Sequence, residues 1–283
     1  MGKPGEIDYL KNLGPDGTWH AREKPFSDSA CWRYLLEIGT LMSMLPPPPA
    51  RLLDLGCGTG WTSRFFGKCG YEVVGVDISP DMISAAEEMK HRDYVEKLTF
   101  VVADYEDLNF KEEFDAAVFF DSLHHAVDER LALQKAYEAL RHGGLCLSSE
   151  PGEGHARSEA AVNAVEKYQV TEKDMPPFHI IELGRQLGFR EFACYPFAWV
   201  NLVYDPKNPP VFANPPPASN APGLTIRGPV PDQWNPVQRW LNSLRQRMQK
   251  ISEDQLRMLL VYQTRIEQLA ATPRLGGITR MVK

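Results

Sequence analysis

What the chain lacks narrows it first. Its 283 residues contain no run of about 18 apolar residues, so nothing reads as a membrane-spanning helix. Met1 to Leu10 has no apolar segment of the kind that marks a secretory signal. The five cysteines (Cys31, Cys57, Cys69, Cys146 and Cys194) are odd in number and never form a Cys-x-x-Cys pair. That argues against a disulfide framework or a cysteine-based zinc site, and makes a reducing cytoplasm the expected compartment. Excess positive charge is missing too: the net charge of −6 disfavours a general nucleic-acid binder. No internal repeat is present.

The charge is unevenly spread. From Arg227 to Lys283 ten Lys/Arg face four Asp/Glu, which leaves −12 on the preceding residues. Prolines are uneven as well, with ten of the 23 between Pro206 and Pro236. That stretch reads as an extended connection outside any sheet. After it, Val237, Trp240, Leu241, Leu244, Met248 and Ile251 follow helical spacing. Ser252 and Gln255 then make a capping box for a second amphipathic helix through Leu269.

The most informative stretch is Arg51-Leu52-Leu53-Asp54-Leu55-Gly56-Cys57-Gly58-Thr59-Gly60. A buried-strand run holding an acid leads into three glycines at alternate positions. This suits a strand entering a tight turn whose bare backbone lies against a ligand. A dinucleotide fingerprint would want a third glycine at the sixth position from Gly56, where Trp61 stands. Strands ending in acids follow: Tyr71–Asp77, Leu98–Val102 before Asp104, Phe114–Phe120 before Asp121, and Leu145–Ser149 before Glu150. Helices are expected at 31–45, 62–69, 80–90, 128–141, 158–167 and 177–187, with the helix before the fifth strand closed by Gly143-Gly144. In the first of these, Trp32, Leu35, Leu36, Gly39 and Met42 are expected on the core face. Residues 1–26, with the turn signal Gly14-Pro15-Asp16-Gly17, read as irregular. Alternating strands and helices predict an α/β, Rossmann-like doubly wound sheet. Its ligands bind outside the carboxyl ends of the strands.

The glycine run resembles motif I of the class I S-adenosylmethionine-dependent methyltransferases, and the resemblance extends over Leu52 to Ser149. It implies seven strands, mostly parallel, with an antiparallel last strand that Ile278–Val282 fills. It implies S-adenosylmethionine as cofactor and S-adenosylhomocysteine as product. By the same resemblance Asp54, Gly56, Cys57, Gly58 and Gly60 wrap the methionine part and ribose. Asp77, with Ile78 beside it, takes the ribose hydroxyls; Asp104, flanked by Ala103 and Tyr105, faces the adenine. Asp121 opens the segment beside the transferable methyl group. The two vicinal hydroxyls, the amino group, the ammonium and the sulfonium of that cofactor can each donate to, or be attracted by, a carboxylate.

In that segment His124 and His125 are the catalytic candidates, because an imidazole titrates near neutrality and can take a proton from an acceptor. Packing or capping is the competing reading. Glu150 and His155 flank a glycine-containing loop where this family contacts its acceptor, and Trp19-His20 is a candidate lid or aromatic anchor. No ligand cluster for a metal stands out, and none is expected. The expected organisation is an N-terminal lid and helix (1–45), a cofactor-binding core (46–200), a Pro-rich two-helix insertion (201–275) that caps the pocket or makes a homodimer contact, and a last core strand (276–283). The expected function is methyl transfer to an oxygen or nitrogen of a small molecule, a sugar or glycan among the candidates. Two alternatives stand: RNA or protein methylation using the basic C-terminal helices, and a non-catalytic cofactor-binding module.

Overall fold

Seven apolar runs pair into one sheet, and their order creates the crevice on which the rest depends. In the computed structural model, which describes residues 3–196, 202–205, 208–212 and 277–283, the elements run α1 (Lys3–Glu23), α2 (Cys31–Met42), β1 (Arg51–Leu55), α3 (Trp61–Lys68), β2 (Glu72–Asp77), α4 (Pro80–Asp93), β3 (Leu98–Val102), β4 (Phe114–Phe120), α5 (Glu129–Ala139), β5 (Leu140–Glu150), α6 (Glu159–Tyr168), α7 (Pro177–Leu187), β6 (Glu191–Pro196), β7 (Leu202–Asp205), β8 (Asn208–Phe212) and β9 (Gly277–Val282). The sheet order is β3-β2-β1-β4-β5-β9-β6. From β3 to β5 the strands are parallel, and β9 runs antiparallel to both β5 and β6. The order reverses between β1 and β4, which opens a crevice at their carboxyl ends.

Each face of the sheet carries its own core. Leu52, Val73, Phe100, Val118 and Phe120 pack with Ile38 and Leu41 of α2, Trp61 and Phe66 of α3, and Ala86 of α4. Leu53, Leu55, Val76, Ala117 and Phe119 pack on the other face with Leu133 and Ala136 of α5 and Ile180 of α7. Alternation along β4 therefore serves two cores at once, which is why the run is apolar throughout. Truncating a fully buried ring such as Phe119 costs about 3–5 kcal/mol.

Three expectations are corrected. Residues 3–23 form a helix, bent at Gly14 (φ +73°), where Pro15 starts the second segment instead of ending the first. In α2 the buried residues are Tyr34, Glu37, Ile38 and Leu41, while Trp32, Leu35 and Leu36 are exposed. The edge contact of Tyr34 on Trp61, with centroids 5.9 Å apart, fixes that rotation. Finally, α5 ends at Ala139, and Leu140 already pairs with Phe114, so Gly143 and Gly144 lie inside β5.

The chain divides into two compact units, Met1–Phe197 with Arg274–Lys283, and Ala198–Pro273. In the second, β7 and β8 form a separate antiparallel pair. The two C-terminal amphipathic helices expected from the sequence lie outside the described residues. Among the described residues no helix is long and apolar enough to cross a membrane.

Candidate active site

A cavity of about 540 Å³ opens at the carboxyl ends of the strands. Its floor is the turn after β1. Gly56, Gly58 and Gly60 all have left-handed backbone, with φ of +73°, +54° and +75°. They serve different ends. A Cβ on Gly56 would meet Ser122 Cβ at 2.6 Å, and one on Gly60 would meet Phe100 Cζ at 2.4 Å. A Cβ on Gly58 would meet nothing nearer than Met82 Sδ at 4.0 Å, because it would point into the cavity. Gly58 thus keeps the backbone bare for a ligand.

Asp77 locks this turn to the end of β2. Its Oδ2 accepts from Gly58 N at 2.8 Å and its Oδ1 from Ser79 N at 2.9 Å. Burial raises its carboxyl above the ordinary value, against the pull of those two bonds. Two further lone pairs remain for hydroxyl donors. Asp54 stands behind the turn, not on the cavity wall: its Oδ2 accepts from Thr62 Oγ1 at 2.6 Å and Ser63 Oγ at 2.5 Å. Burial pushes it up to about 6. Asp54 therefore secures α3 against β1. Gly60 likewise packs inward, and Ala103 is tied by its N–H to Asp77 O at 3.0 Å.

Beyond β3, Asp104 accepts from Glu106 N at 2.9 Å and pairs with Lys3 of α1; Lys3 also lies 3.3 Å from Glu106. Tyr105 donates its hydroxyl to Ser122 O at 3.0 Å. Gly56, Cys57, Gly58, Asp77, Ile78, Asp104, Tyr105 and Asp121 all line the cavity. Bare backbone and two carboxylate positions on adjacent strand ends fit the ribose and adenine of S-adenosylmethionine.

The other end of the cavity is built after β4 and β5. Asp121 has left-handed backbone (φ +55°), held by its N–H on Ser149 O at 2.8 Å. Burial pushes its carboxyl up, but His124, Lys24 and His125 outweigh it and hold it below the ordinary value. Glu150 is buried beneath the following turn. It accepts from the backbone of Ser122 at 3.2 Å and Leu123 at 2.8 Å, and from His124 Nδ1 at 2.6 Å. Glu150 therefore orients His124 and does not line the cavity. His124 turns its Nε2 toward Glu172, 3.5 Å away. His125 uses Nδ1 on Thr171 O at 2.6 Å. Burial opposes its positive charge, yet Glu6 and Glu172 carry it up to about 9. His155 bonds Glu172 at 2.7 Å and is raised by that contact. The three imidazoles gather, with centroids 4.1 and 5.0 Å from His124.

His20 also lines the cavity, 3.7 Å from Asp28, whereas Trp19 is exposed. Lys3, Glu6 and Glu172 complete the wall without any sequence signal that singles them out. Glu6 belongs to helix α1, whose sequence reads as irregular, and Glu172 lies in a stretch without a motif. Both reach the site through contacts distant in sequence, as in the bond from Thr171 N to Glu6 at 2.7 Å.

Comparison with known proteins agrees with this geometry. Residues 53–148 match the family model of a methyltransferase domain. A ubiquinone biosynthesis O-methyltransferase of Nitrobacter winogradskyi is 31% identical over 99 residues, 35% of this chain and 38% of that protein. O-methyltransferase cnsE of Penicillium expansum is 30% identical over 165 residues, 56% of this chain and 58% of its own length. The chain thus spans less than two thirds of either relative. In fold it is similar to phosphoethanolamine N-methyltransferase 2 of Haemonchus contortus, solved with S-adenosyl-L-methionine: TM-score 0.58, 19% identity, 98% of this chain and 59% of that one. Residues 53–148 thus form a methyltransferase domain, and the glycine turn, the strand-end acids and the sheet order around them are those of the class I, S-adenosylmethionine-dependent type.

Proposed function

We propose that the protein transfers the methyl group of S-adenosylmethionine to an oxygen or nitrogen of a small molecule. The observation that carries this reading is a single cavity shared by the glycine turn and Asp77 at one end and by His124, His125 and Asp121 at the other. The cofactor supplies an electrophilic methyl carbon on a positively charged sulfur. The chain's share is orientation and exclusion of water. Asp77 accepts from ribose hydroxyls, Asp104 faces the adenine, and Asp121 puts negative charge beside the sulfur. The histidine cluster forms the acceptor end, with His124 held in one orientation by Glu150. Relatives named as O-methyltransferases, one of them of ubiquinone biosynthesis, support a small-molecule acceptor.

Within that class a polyhydroxylated acceptor, a sugar or glycan, suits the wall best. Glu6, Asp121 and Glu172 offer carboxylate oxygens to its hydroxyls. Calorimetry with S-adenosylhomocysteine, followed by transfer of labelled methyl to panels of sugars, quinols and amino acids, tests the reading. Binding with transfer to a sugar supports it in full. Transfer only to amines overturns the sugar assignment, and absence of binding overturns the function.

A further inference from the structure

The cluster at the acceptor end has more built into it than a proton acceptor needs. We propose that His124, His125 and Glu172 bind a divalent transition-metal ion that holds an acceptor oxygen in the cavity. One ligand atom from each of the three lies within 4.8 Å of the others. All three line the cavity, so an ion there keeps open positions facing the acceptor. Two imidazoles and a carboxylate suit zinc, cobalt, manganese or iron better than magnesium or calcium, which prefer oxygen ligands throughout.

The surroundings of the two imidazoles carry the argument furthest. A ligating histidine almost always donates its second ring N–H to a carboxylate or a backbone carbonyl, which fixes its tautomer. Both arrangements occur here side by side. His124 Nδ1 meets the buried Glu150 at 2.6 Å, and His125 Nδ1 meets the Thr171 carbonyl at 2.6 Å. These bonds leave Nε2 as the ligating nitrogen of each ring. Glu150 is itself pinned by the backbone N–H groups of Ser122 and Leu123, so the His124 ring has little freedom to turn away. The competing arrangement is a closed ionic cluster, since His155 Nε2 sits 2.7 Å from the Glu172 oxygen that faces His124. Binding of an ion must displace His155 or recruit it as a further ligand. The site stands on its own geometry; only the role given to the acceptor oxygen rests on the function proposed above.

The test uses the full chain carrying Cys69→Ser and Cys194→Ser, which removes the two exposed thiols. It is stripped with chelator and titrated with Co(II), by calorimetry and visible absorption. The expected result is one ion per chain, with paramagnetic shifts on the ring protons of His124 and His125 in the unmutated cluster. Glu172→Ala abolishes the binding. Glu150→Gln, which touches no ion, weakens it about 10–100-fold while the circular dichroism is unchanged. No binding by the parent, shifts confined to other histidines, or binding that survives Glu172→Ala overturns the site. S-adenosylhomocysteine is titrated into the same samples. If it binds while Co(II) does not, the metal site alone fails; if Co(II) binds and the cofactor product does not, the function fails and the site stands.

Discussion

The two ends of the cavity are made in different ways. The cofactor end is short-range: one turn after β1, the last residue of β2, and backbone N–H groups held by Asp77. The acceptor end is long-range: Glu150 bonds a turn 26 to 28 residues before it, His125 bonds Thr171, and Glu6 reaches Thr171 across 165 residues. A site built on one strand–turn–helix unit keeps its ligand from protein to protein. A site assembled from separate loops changes its ligand with a few substitutions in them. Under the function proposed above, one cavity thus joins a donor site built on a single turn to an acceptor site assembled from several loops.

Four measurements break or sharpen that contrast. The largest effect is expected from His124→Ala: turnover falls about 10²–10⁴-fold, while S-adenosylhomocysteine affinity by calorimetry is retained. An equal loss of affinity would show that the ends are not separable. Next comes Asp77→Ala, which removes two charge-assisted bonds of about 1.5–3 kcal/mol each from the turn. A ribose hydroxyl bonded to the same carboxylate loses about 1.5–3 kcal/mol as well, so cofactor affinity is expected to fall about 10–100-fold per lost bond, at about 1.4 kcal/mol for each factor of ten; near-normal affinity would sink the ribose assignment.

Gly60→Ala compared with Gly154→Ala isolates packing from backbone conformation. Both positions have left-handed backbone, with φ of +75° and +92°, but only at Gly60 does a Cβ strike a ring. Each variant costs about 1–2 kcal/mol for conformation, and Gly60→Ala costs roughly 1–3 kcal/mol more for overpacking. Urea unfolding should separate the two; equal midpoints would refute the tight fit. Smallest is the pH dependence of Glu37, whose carboxyl is pushed from 4.5 up to about 7 by burial despite Arg33 at 3.1 Å. The unfolded chain ionises first, so this group's contribution is fully present below about pH 4.5 and is lost as pH rises to about 7. A tenfold change in an acidity constant is worth about 1.4 kcal/mol, so the loss is roughly 3 kcal/mol at most. Relative to the wild type, Glu37→Gln should flatten the stability curve between those values; parallel curves would exclude Glu37 as the cause.

The same contrast decides what is legible in the sequence. The strand β1, the glycine turn and Asp77 can be read there because their spacing is local. Pro80 at the start of α4 is legible from its cap and β9 as a strand from the apolar run after Gly276-Gly277, whereas the antiparallel direction of β9 is expected only from the family resemblance. The helix α1 is hidden by Gly14-Pro15, a pair that bends a helix here where it usually ends a segment. The buried face of α2 misleads because it contains Glu37 and leaves Trp32 and Leu36 outside, so apolar count points the wrong way. Glu150 stands out for its position at a strand end, yet its work is to hold backbone and His124. Glu172 carries no local signal, since only folding brings it to His124 and His155.

The threading of β9 between β5 and β6 has a consequence for synthesis. Among the described residues, the facing edges of Leu145 to Glu150 and Glu191 to Pro196 are both paired by Gly277–Val282. While the ribosome is still translating the stretch between residues 196 and 277, both strands present unpaired N–H and C=O groups, the template on which nascent chains stick to one another. The sheet can close only after the chain has passed residue 282.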